Sequence, residues 1–412
     1  MRILHVNKFL YRRGGAEGYL FDLAAAQRAG GDEVEFFGMA DPDNLPMRFA
    51  EHFPPYARFD PAPAHLTERL GLAGRMLWSP AAARGMAAVL AAYRPDIVHL
   101  HNIYHQLSPS VIAATRRAGV PMVMTVHDYK LVCPTYRFLD HGHICTACLD
   151  GGLRQAPRRR CQDGSLAAST MAAVEVGTHR LFHAYAAVGA FACPSRFLRD
   201  RLAEGGIATD RLVHLPNGTP VDVPVRIGAG AGILSAGRLA PEKGVDVLIH
   251  AVAVLPQARL EIAGDGPDRA ALTSLAARVA PGRVTFHGRL DSAALQELTA
   301  RARVTALPAR WLENQPLAVL ESYAAQVPVV ASALGGIPEL VDATSGTVVA
   351  PNDPAALAAA LGRYLDDPEV AVAHGLGGRA RLLRDHAPAV HLRRVANLYS
   401  DVRIAHAAGR AA

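Results

Sequence analysis

The sequence predicts an α/β protein made of two doubly wound parallel sheets, and three observations carry that expectation. The chain has 412 residues, more than a single core of ordinary size accommodates. Short β-branched runs alternate with longer helical patterns along its length, as parallel strands joined by crossover helices do. A Pro- and Gly-rich passage, residues 216–220 and then 226–232, interrupts the alternation near the middle and suits a hinge.

Taken in order, the strand-like runs of the first half are residues 2–6, 33–37, 96–100, 122–126 and 188–193. Those of the second half are 232–236, 259–263, 283–287, 303–307, 327–331 and 346–350. The boundary is placed near residue 222, giving domains 1–221 and 222–387. A terminal segment, 388–412, holds a last helix over about 388–405 that is expected to pack back on the first domain. Open α/β sheets bind ligands outside the carboxyl ends of their strands, so the two domains are expected to face each other across a ligand-binding cleft.

Half of the residues are hydrophobic and only 19% are charged, which fits an ordinary globular protein and argues against disorder. A formal charge of +6 favours anionic partners without choosing among nucleotides, lipid headgroups and nucleic acid. Residues 1–7 form a short strand-like run without the apolar core of a secretory signal, so a cytoplasmic location is expected. No run of about 18 uncharged apolar residues occurs; the best stretch, 171–193, contains Glu175, His179 and Arg180. Any membrane attachment is therefore expected to be peripheral.

Two features mislead. Gly228-Ala-Gly230-Ala-Gly232 precedes a strand instead of following one, the wrong context for a dinucleotide-binding turn, and reads as linker. Asp41-Pro-Asp43 looks like a metal-binding acid pair but is ordinary turn chemistry.

The chemistry concentrates at strand ends. Trp311-Leu-Glu313-Asn-Gln-Pro316-Leu-Ala-Val-Leu-Glu321 sets two carboxylates around a helix start, where free amides and the helix dipole favour anions. A ligand with a diphosphate for the helix start and hydroxyls on either side explains both acids, because ionised carboxylates accept hydrogen bonds from hydroxyls. A surface acid plus a first-turn Glu that offsets the dipole is the alternative. Gly237-Arg238-Leu-Ala-Pro-Glu-Lys243-Gly244 is a glycine-punctuated turn into a helix over 245–254; its two cations could hold phosphate or simply face solvent.

In the first half, Asn7-Lys8-Phe-Leu-Tyr-Arg12-Arg13-Gly14-Gly15-Ala-Glu17 is a second glycine turn with three cations, read as binding or as plain turn. Thr125-Val-His127-Asp128 puts an imidazole at a carboxyl strand end, with His99, His101 and His105 as competitors at the neighbouring strand end. Cys133, Cys145, Cys148 and Cys161 fall within one loop-rich insertion, about 133–161, and include a Cys-x-x-Cys pair. In a reducing compartment they fit a structural zinc site better than disulfides, with free thiols or an iron–sulfur cluster as alternatives. Cys193 ends a strand and reads as core.

Together these residues resemble the retaining nucleotide-sugar glycosyltransferases of family 4, which have the two-domain GT-B fold. The resemblance rests on Arg13-Gly-Gly-Ala-Glu17, His127-Asp128, Gly237 to Gly244, Gly264-Asp-Gly-Pro267, His287-Gly-Arg-Leu290, the Glu313 to Glu321 pair, Pro328-Val-Val-Ala331 and Gly335-Gly-Ile-Pro-Glu339, in that order. It implies that Arg238 and Lys243 bind the donor diphosphate, that Glu321 takes the ribose hydroxyls and that Glu313 contacts the sugar. His127 is implied near the sugar and acceptor, backbone around Gly288 near the base, and Gly14 and Gly15 at the donor. Many members have Gly-Phe-Gly where this chain has Asn314-Gln315-Pro316; Pro316 lacks an N–H, so donor contacts fall to the amides of Asn314, Gln315 and Leu317.

The resemblance implies transfer of a hexose-like sugar from a nucleoside diphosphate sugar to an acceptor hydroxyl, with retention and no catalytic metal or cofactor. The expected setting is bacterial cell-surface polysaccharide or glycolipid synthesis, with a carbohydrate or lipid-linked acceptor and no nucleic acid partner. A sugar-nucleotide epimerase, a phosphorylase or a noncatalytic binding subunit remains open. Residues 64–93, with Arg69, Arg75, Met76, Leu77, Trp78 and Arg84, and residues 154–160 form a basic and apolar surface suited to anionic lipid, with core packing of the apolar residues as the alternative.

Overall fold

The computed structural model describes residues 1–57 and 65–411. They divide into two compact units, one of Met1–His141, Cys145–Leu215 and His391–Ala412, the other of Gly142–Ile144 and Pro216–Val390. Of the basic and apolar surface, Ala64 and the side chain of Arg69 lie outside the described residues.

The first unit contains β1 (Arg2–Val6), β2 (Glu33–Phe37), β3 (Ile97–Leu100), β4 (Met122–Thr125) and the short β5 (Leu139–Asp140); the short β6 (His143–Ile144) falls among the residues grouped with the second unit, and β7 (Ala190–Cys193) and β8 (Leu212–His214) belong to the first. Six of these form a parallel sheet in the order β2-β1-β3-β4-β7-β8. Every residue of β3, β4 and β7 is buried, as expected when helices cover both faces and the strands read as continuous apolar runs. The exceptions are polar: His5 pairs in register with His99 on the adjacent strand, so the two imidazoles share a face inside the protein.

The second unit contains β9 (Ala231–Ala236), β10 (Leu260–Ala263), β11 (Val284–Gly288), β12 (Ala302–Leu307), β13 (Val329–Ser332) and β14 (Gly346–Val349). Their order, β11-β10-β9-β12-β13-β14, is the doubly wound order in which winding reverses between β9 and β12. The helix Val245–Ala253 buries six of its nine residues in the core with Leu260, Ile262, Val304 and Leu361, and so reads as apolar almost all round.

Winding reverses between β1 and β3 in the first sheet and between β9 and β12 in the second. The loops that leave the carboxyl ends of those four strands are therefore where an open α/β sheet offers a ligand crevice. They hold residues 7–14, 101–109, 237–244 and 308–316, which include Gly14, Arg238, Lys243, Glu313, Asn314 and Gln315.

All eleven expected strands are present, with ends shifted by at most two residues. β8, β5 and β6 escaped the sequence because two or three residues show no periodicity. The last helix runs over Pro388–Ala411, beyond the expected end at 405, and its residues from His391 onward belong to the first unit. The Gly-rich passage 226–232 is fastened into the second unit, because buried Arg226 donates to the carbonyls of Arg303 at 3.1 Å and Ala371 at 2.9 Å. The Asp43 amide donates to Asp41 Oδ1 at 3.0 Å, which makes that acid pair an Asx turn. Among the described residues no helix is long and apolar enough to cross a membrane.

Candidate functional site

In the second unit the loop after β9 is shaped by glycines with no substitute. Gly237 has φ +146, and Gly244 has φ +64 with a Cβ position 2.1 Å from the Pro308 carbonyl, so backbone occupies the side-chain space. This close approach brings the loop beside residues 308–316, where the Arg310 amide donates to the Glu242 carbonyl at 2.8 Å. Lys243 Nζ then meets Glu313 Oε1 at 2.7 Å and lies 4.9 Å from the Trp311 ring centre. Glu313 is buried while Lys243 keeps a quarter of its side chain exposed, so the pair is a sequestered carboxylate under a reachable cation. Arg238 stands exposed on the same loop.

Glu313 is held from behind as well. Gly336 donates to its carbonyl at 2.7 Å, and Gly335, at φ +62, leaves no room for a Cβ, which would fall 2.0 Å from that carbonyl. The side chain of Gln315 does not face outward as a donor contact: its Oε1 accepts from the Asn217 amide at 2.6 Å. Pro316 caps the helix Leu317–Ala324, whose first turn has no side-chain cap, and Glu321 is exposed one turn on. A small pocket places Glu321 beside Ala236 and Leu307, the last residues of β9 and β12. Gly288 ends β11 with φ +71, and its carbonyl accepts from the Gly264 amide at 2.7 Å.

The first unit gathers its candidates differently. Asn7 follows β1: its side-chain oxygen accepts from the Asn102 amide at 3.0 Å, while its side-chain nitrogen donates to the Phe9 carbonyl at 2.7 Å. Gly14 caps the helix Gly15–Ala29 in an extended conformation that any residue adopts, and a Cβ there would touch only Glu17 at an ordinary 3.6 Å. The fold therefore does not itself require glycine at 14. Tyr104 donates to Asp128, burial raises the Asp128 pKa against the pull of Tyr104, Lys130 and Lys8, and burial lowers that of Lys8. Behind them Lys130 meets Glu175 at 2.6 Å and His105 meets it at 3.0 Å. Burial works against the Glu175 charge, but Lys130 and His105 outweigh it and hold that carboxyl down to about 2.

His127 does not pair with Asp128. Its Nε2 lies 3.0 Å from His101 Nδ1, and His101 Nε2 lies 3.0 Å from His5 Nδ1. His5 Nε2 meets Gln27 Oε1 at 2.7 Å, and Gln27 Nε2 donates to Tyr399 at 3.1 Å. Burial holds His127 and His5 down to about 4 and His99 and His101 well below the usual imidazole range, so all four are neutral near pH 7. Sequence reasoning missed Gln27, His5 and Tyr399 in this role, although the period-two spacing of His99, on β3, and His101, just past its end, signals a shared face.

The four insertion cysteines are all free; Cys148 is influenced by Cys133, Cys161 and Cys145, and Cys161 by Cys133 and Cys145. Burial first, and then the neighbouring sulfurs, push Cys148 up to about 12; burial, then Cys133 and Asp140, push Cys161 up to about 11. Among the described residues no three of these sulfurs lie within 4.8 Å of one another; the three-ligand group that does is His5, His99 and His101. Buried Cys193 donates to the Phe191 carbonyl at 3.6 Å. On the proposed lipid surface, Arg75 is engaged by the carbonyls of Gln106 and Pro55, whereas Trp78 and Arg84 are exposed, and so are Leu181 and Phe182, which the sequence reading did not include.

Residues 13–223 match the family model Glycosyltransferase Family 4, and residues 230–367 match Glycosyl transferases group 1. The chain is 34% identical over 210 residues to the GDP-mannose-dependent alpha-(1-6)-phosphatidylinositol monomannoside mannosyltransferase of Mycolicibacterium smegmatis, covering 45% of this chain and 55% of that protein. It is 29% identical over 395 residues to the D-inositol 3-phosphate glycosyltransferase of Streptomyces scabiei, covering 89% and 82%. The matched region thus spans about half the length of the mannosyltransferase. Among solved structures, sucrose-phosphate synthase from Thermosynechococcus elongatus superposes with TM-score 0.73 at 21% identity, over 98% of this chain and 100% of that one. Anabaena Alr3699/HepE in complex with UDP-glucose does so with TM-score 0.66 at 18% identity, over 97% and 100%. The fold is therefore GT-B.

Proposed function

The chain belongs to glycosyltransferase family 4, and from that premise we propose that it transfers a hexose-like sugar from a nucleoside diphosphate sugar to an acceptor hydroxyl with retention of configuration. The observation that carries this reading is the meeting, at the β9/β12 switch point, of Lys243, buried Glu313 and an uncapped helix start followed by Glu321. Arg238 and Lys243 would hold the donor diphosphate and stabilise the charge that develops on it as the glycosidic bond breaks. Glu321 would accept from the ribose hydroxyls and Glu313 from the sugar, with the Asn314 and Leu317 amides beside it. The buried amide-to-side-chain contact gives Gln315 a structural duty, so only its backbone is assigned to the donor. A donor phosphate oxygen would take the acceptor proton, leaving His127 to orient hydroxyls. Gly14, which the fold does not require to be glycine, fits close approach of ligand to the start of the helix Gly15–Ala29.

The test is a transfer assay with Glu313→Ala and Lys243→Ala. Full activity in either variant would sink the site assignment. Nucleoside diphosphate release that does not depend on acceptor would favour an epimerase, and binding without turnover across a broad acceptor panel would favour a noncatalytic subunit.

The acceptor we propose is a carbohydrate or lipid-linked glycan at the cytoplasmic membrane face, reached by peripheral contact. Exposed Trp78 and Arg84 support this, together with exposed Leu181 and Phe182, which follow His179, whose Nε2 lies 3.1 Å from the Leu77 carbonyl. Cosedimentation with anionic vesicles at low salt, weakened by Phe182→Ser, is the expected result; no cosedimentation counts against it. The Cys-x-x-Cys spacing supports structural zinc at Cys133, Cys145, Cys148 and Cys161, which would require the sulfurs to draw together. Elemental analysis of purified protein should then return one zinc per chain, lost in Cys148→Ser.

A further inference from the structure

The buried histidines form one continuous hydrogen-bonded chain. From its inner end, His99 Nε2 lies 2.7 Å from Thr125 Oγ1, and His99 Nδ1 lies 2.6 Å from the Tyr399 hydroxyl. Gln27 links Tyr399 to His5, and His5 and His101 continue to His127. Every member except His127 is fully or almost fully buried, and His127 reaches partial exposure at the carboxyl end of β4. Tyr19 closes the side of the chain, its ring edge-on to His127 at 5.4 Å and to His101 at 6.1 Å.

A neutral imidazole has one N–H and one lone pair, so each link in such a chain dictates the next. Gln27 supplies the asymmetry, because an amide oxygen only accepts and an amide nitrogen only donates. With Nε2 donating to Tyr399, the Tyr399 hydroxyl hydrogen goes to His99 Nδ1 and His99 Nε2–H goes to Thr125. In the other direction Gln27 Oε1 requires His5 to carry its hydrogen on Nε2. His5 Nδ1 is then a lone pair that accepts from His101 Nε2–H, and His101 Nδ1 accepts from His127 Nε2–H. No donor meets a donor along the path, and no buried charge is needed.

We propose that Gln27, through His5 and His101, fixes His127 as the Nε2–H tautomer, so that its Nδ1 lone pair is presented as a hydrogen-bond acceptor for a substrate hydroxyl. Among the described residues Nδ1 has no partner. Gln27, His5 and His101 are thus positioning residues. An acceptor at this point orients a hydroxyl with its hydrogen toward His127 and its oxygen lone pairs free, and it disfavours carboxylate or phosphate in the same place. The opposite tautomer would present an N–H there instead and would take a carboxylate or phosphate as readily as a hydroxyl. The use made of the tautomer rests on the transferase reading; the tautomer itself does not.

The experiment is long-range 1H–15N correlation on the full chain labelled with 15N-histidine at neutral pH, with the His127 signals assigned by their loss in His127→Asn. The expected result is a pure Nε2–H pattern for His127. Gln27→Leu should convert it to a mixture of tautomers, and Gln27→Glu, whose carboxylate can only accept, should restore the pure pattern. If Gln27→Leu does not fold, Tyr399→Phe, which frees the amide to turn over, should produce the same mixture. A pure Nδ1–H pattern in the native chain, or a His127 pattern unmoved by both variants, overturns the proposal. In the transfer assay Gln27→Leu should lower kcat about tenfold with donor KM within twofold, recovered in Gln27→Glu. Absence of any transfer in the native protein would count against the transferase reading while the tautomer pattern still decides this one.

Discussion

The carboxyl ends of the two sheets hold chemistry of opposite kinds. In the second unit, reachable cations and a sequestered carboxylate stand on a loop scaffold so tight that Gly244 and Gly335 have backbone where a Cβ would be. In the first unit, a chain of neutral imidazoles, an amide and a phenol lies inside the protein, each group satisfied by the next. The contrast fits what we propose each binds. A charged diphosphate calls for fixed, accessible charge, whereas hydroxyl recognition calls for donors and acceptors of fixed sense, which burial and mutual hydrogen bonding provide.

The most severe way to break this contrast is to fill the glycine scaffold. Gly335→Ala combines a positive φ with a Cβ 2.0 Å from the Glu313 carbonyl, so it should cost roughly 3 to 5 kcal/mol, read as a lowered denaturation midpoint. Removing the charge should spare the fold more than the reaction: Lys243→Ala is expected to lower kcat on the order of 10²- to 10³-fold. It also leaves Glu313 buried without its partner, so a fall in stability should accompany the loss of rate and be absent in exposed Arg238→Ala.

A smaller effect separates the units by pH. His5, His105 and His127 are held at about 4 when folded, against about 6.5 as free side chains. Between those values the unfolded chain takes up protons that the native one refuses, so stability falls as pH falls, by roughly 1 kcal/mol per histidine from pH 7 to 5.5. From about one unit above the free value, near pH 7.5, these groups contribute almost no pH dependence. The chain has two tryptophans, Trp78 in the first unit and Trp311 in the second. Single-tryptophan variants should therefore show the acid shift at Trp78, and an equal shift at Trp311 would blur the comparison. Least of all, Gln315→Ala should cost about 1 kcal/mol by leaving the Asn217 amide unpaired, with donor binding nearly unchanged.

The sequence disclosed the second unit's site more fully than the first's. Arg238, Lys243, Glu313 and Glu321 are contiguous with strand ends and glycine turns, signals that survive in a linear reading. His127 was legible for the same reason. Its neighbours were not: Gln27 lies mid-helix and Tyr399 is 372 residues away from it, so only the packing of the last helix into the first unit joins them. The burial of the Gln315 side chain was likewise invisible, because its partner Asn217 sits 98 residues earlier. The cysteines were legible as a spacing alone: Cys133, Cys145 and Cys161 all act on Cys148, but no three of the sulfurs form a group within 4.8 Å.

The central claim is that the second unit holds a nucleoside diphosphate sugar through Lys243, Arg238 and the Glu313 to Glu321 element. Calorimetric titration of the native chain and of Lys243→Ala, Arg238→Ala and Glu321→Gln with a panel of nucleoside diphosphates and their sugars tests it most directly. The account predicts saturable one-to-one binding of one base class to the native chain, weakened at least tenfold in each variant. Equal affinity in native and variant chains, or no binding of any nucleoside diphosphate, would contradict it.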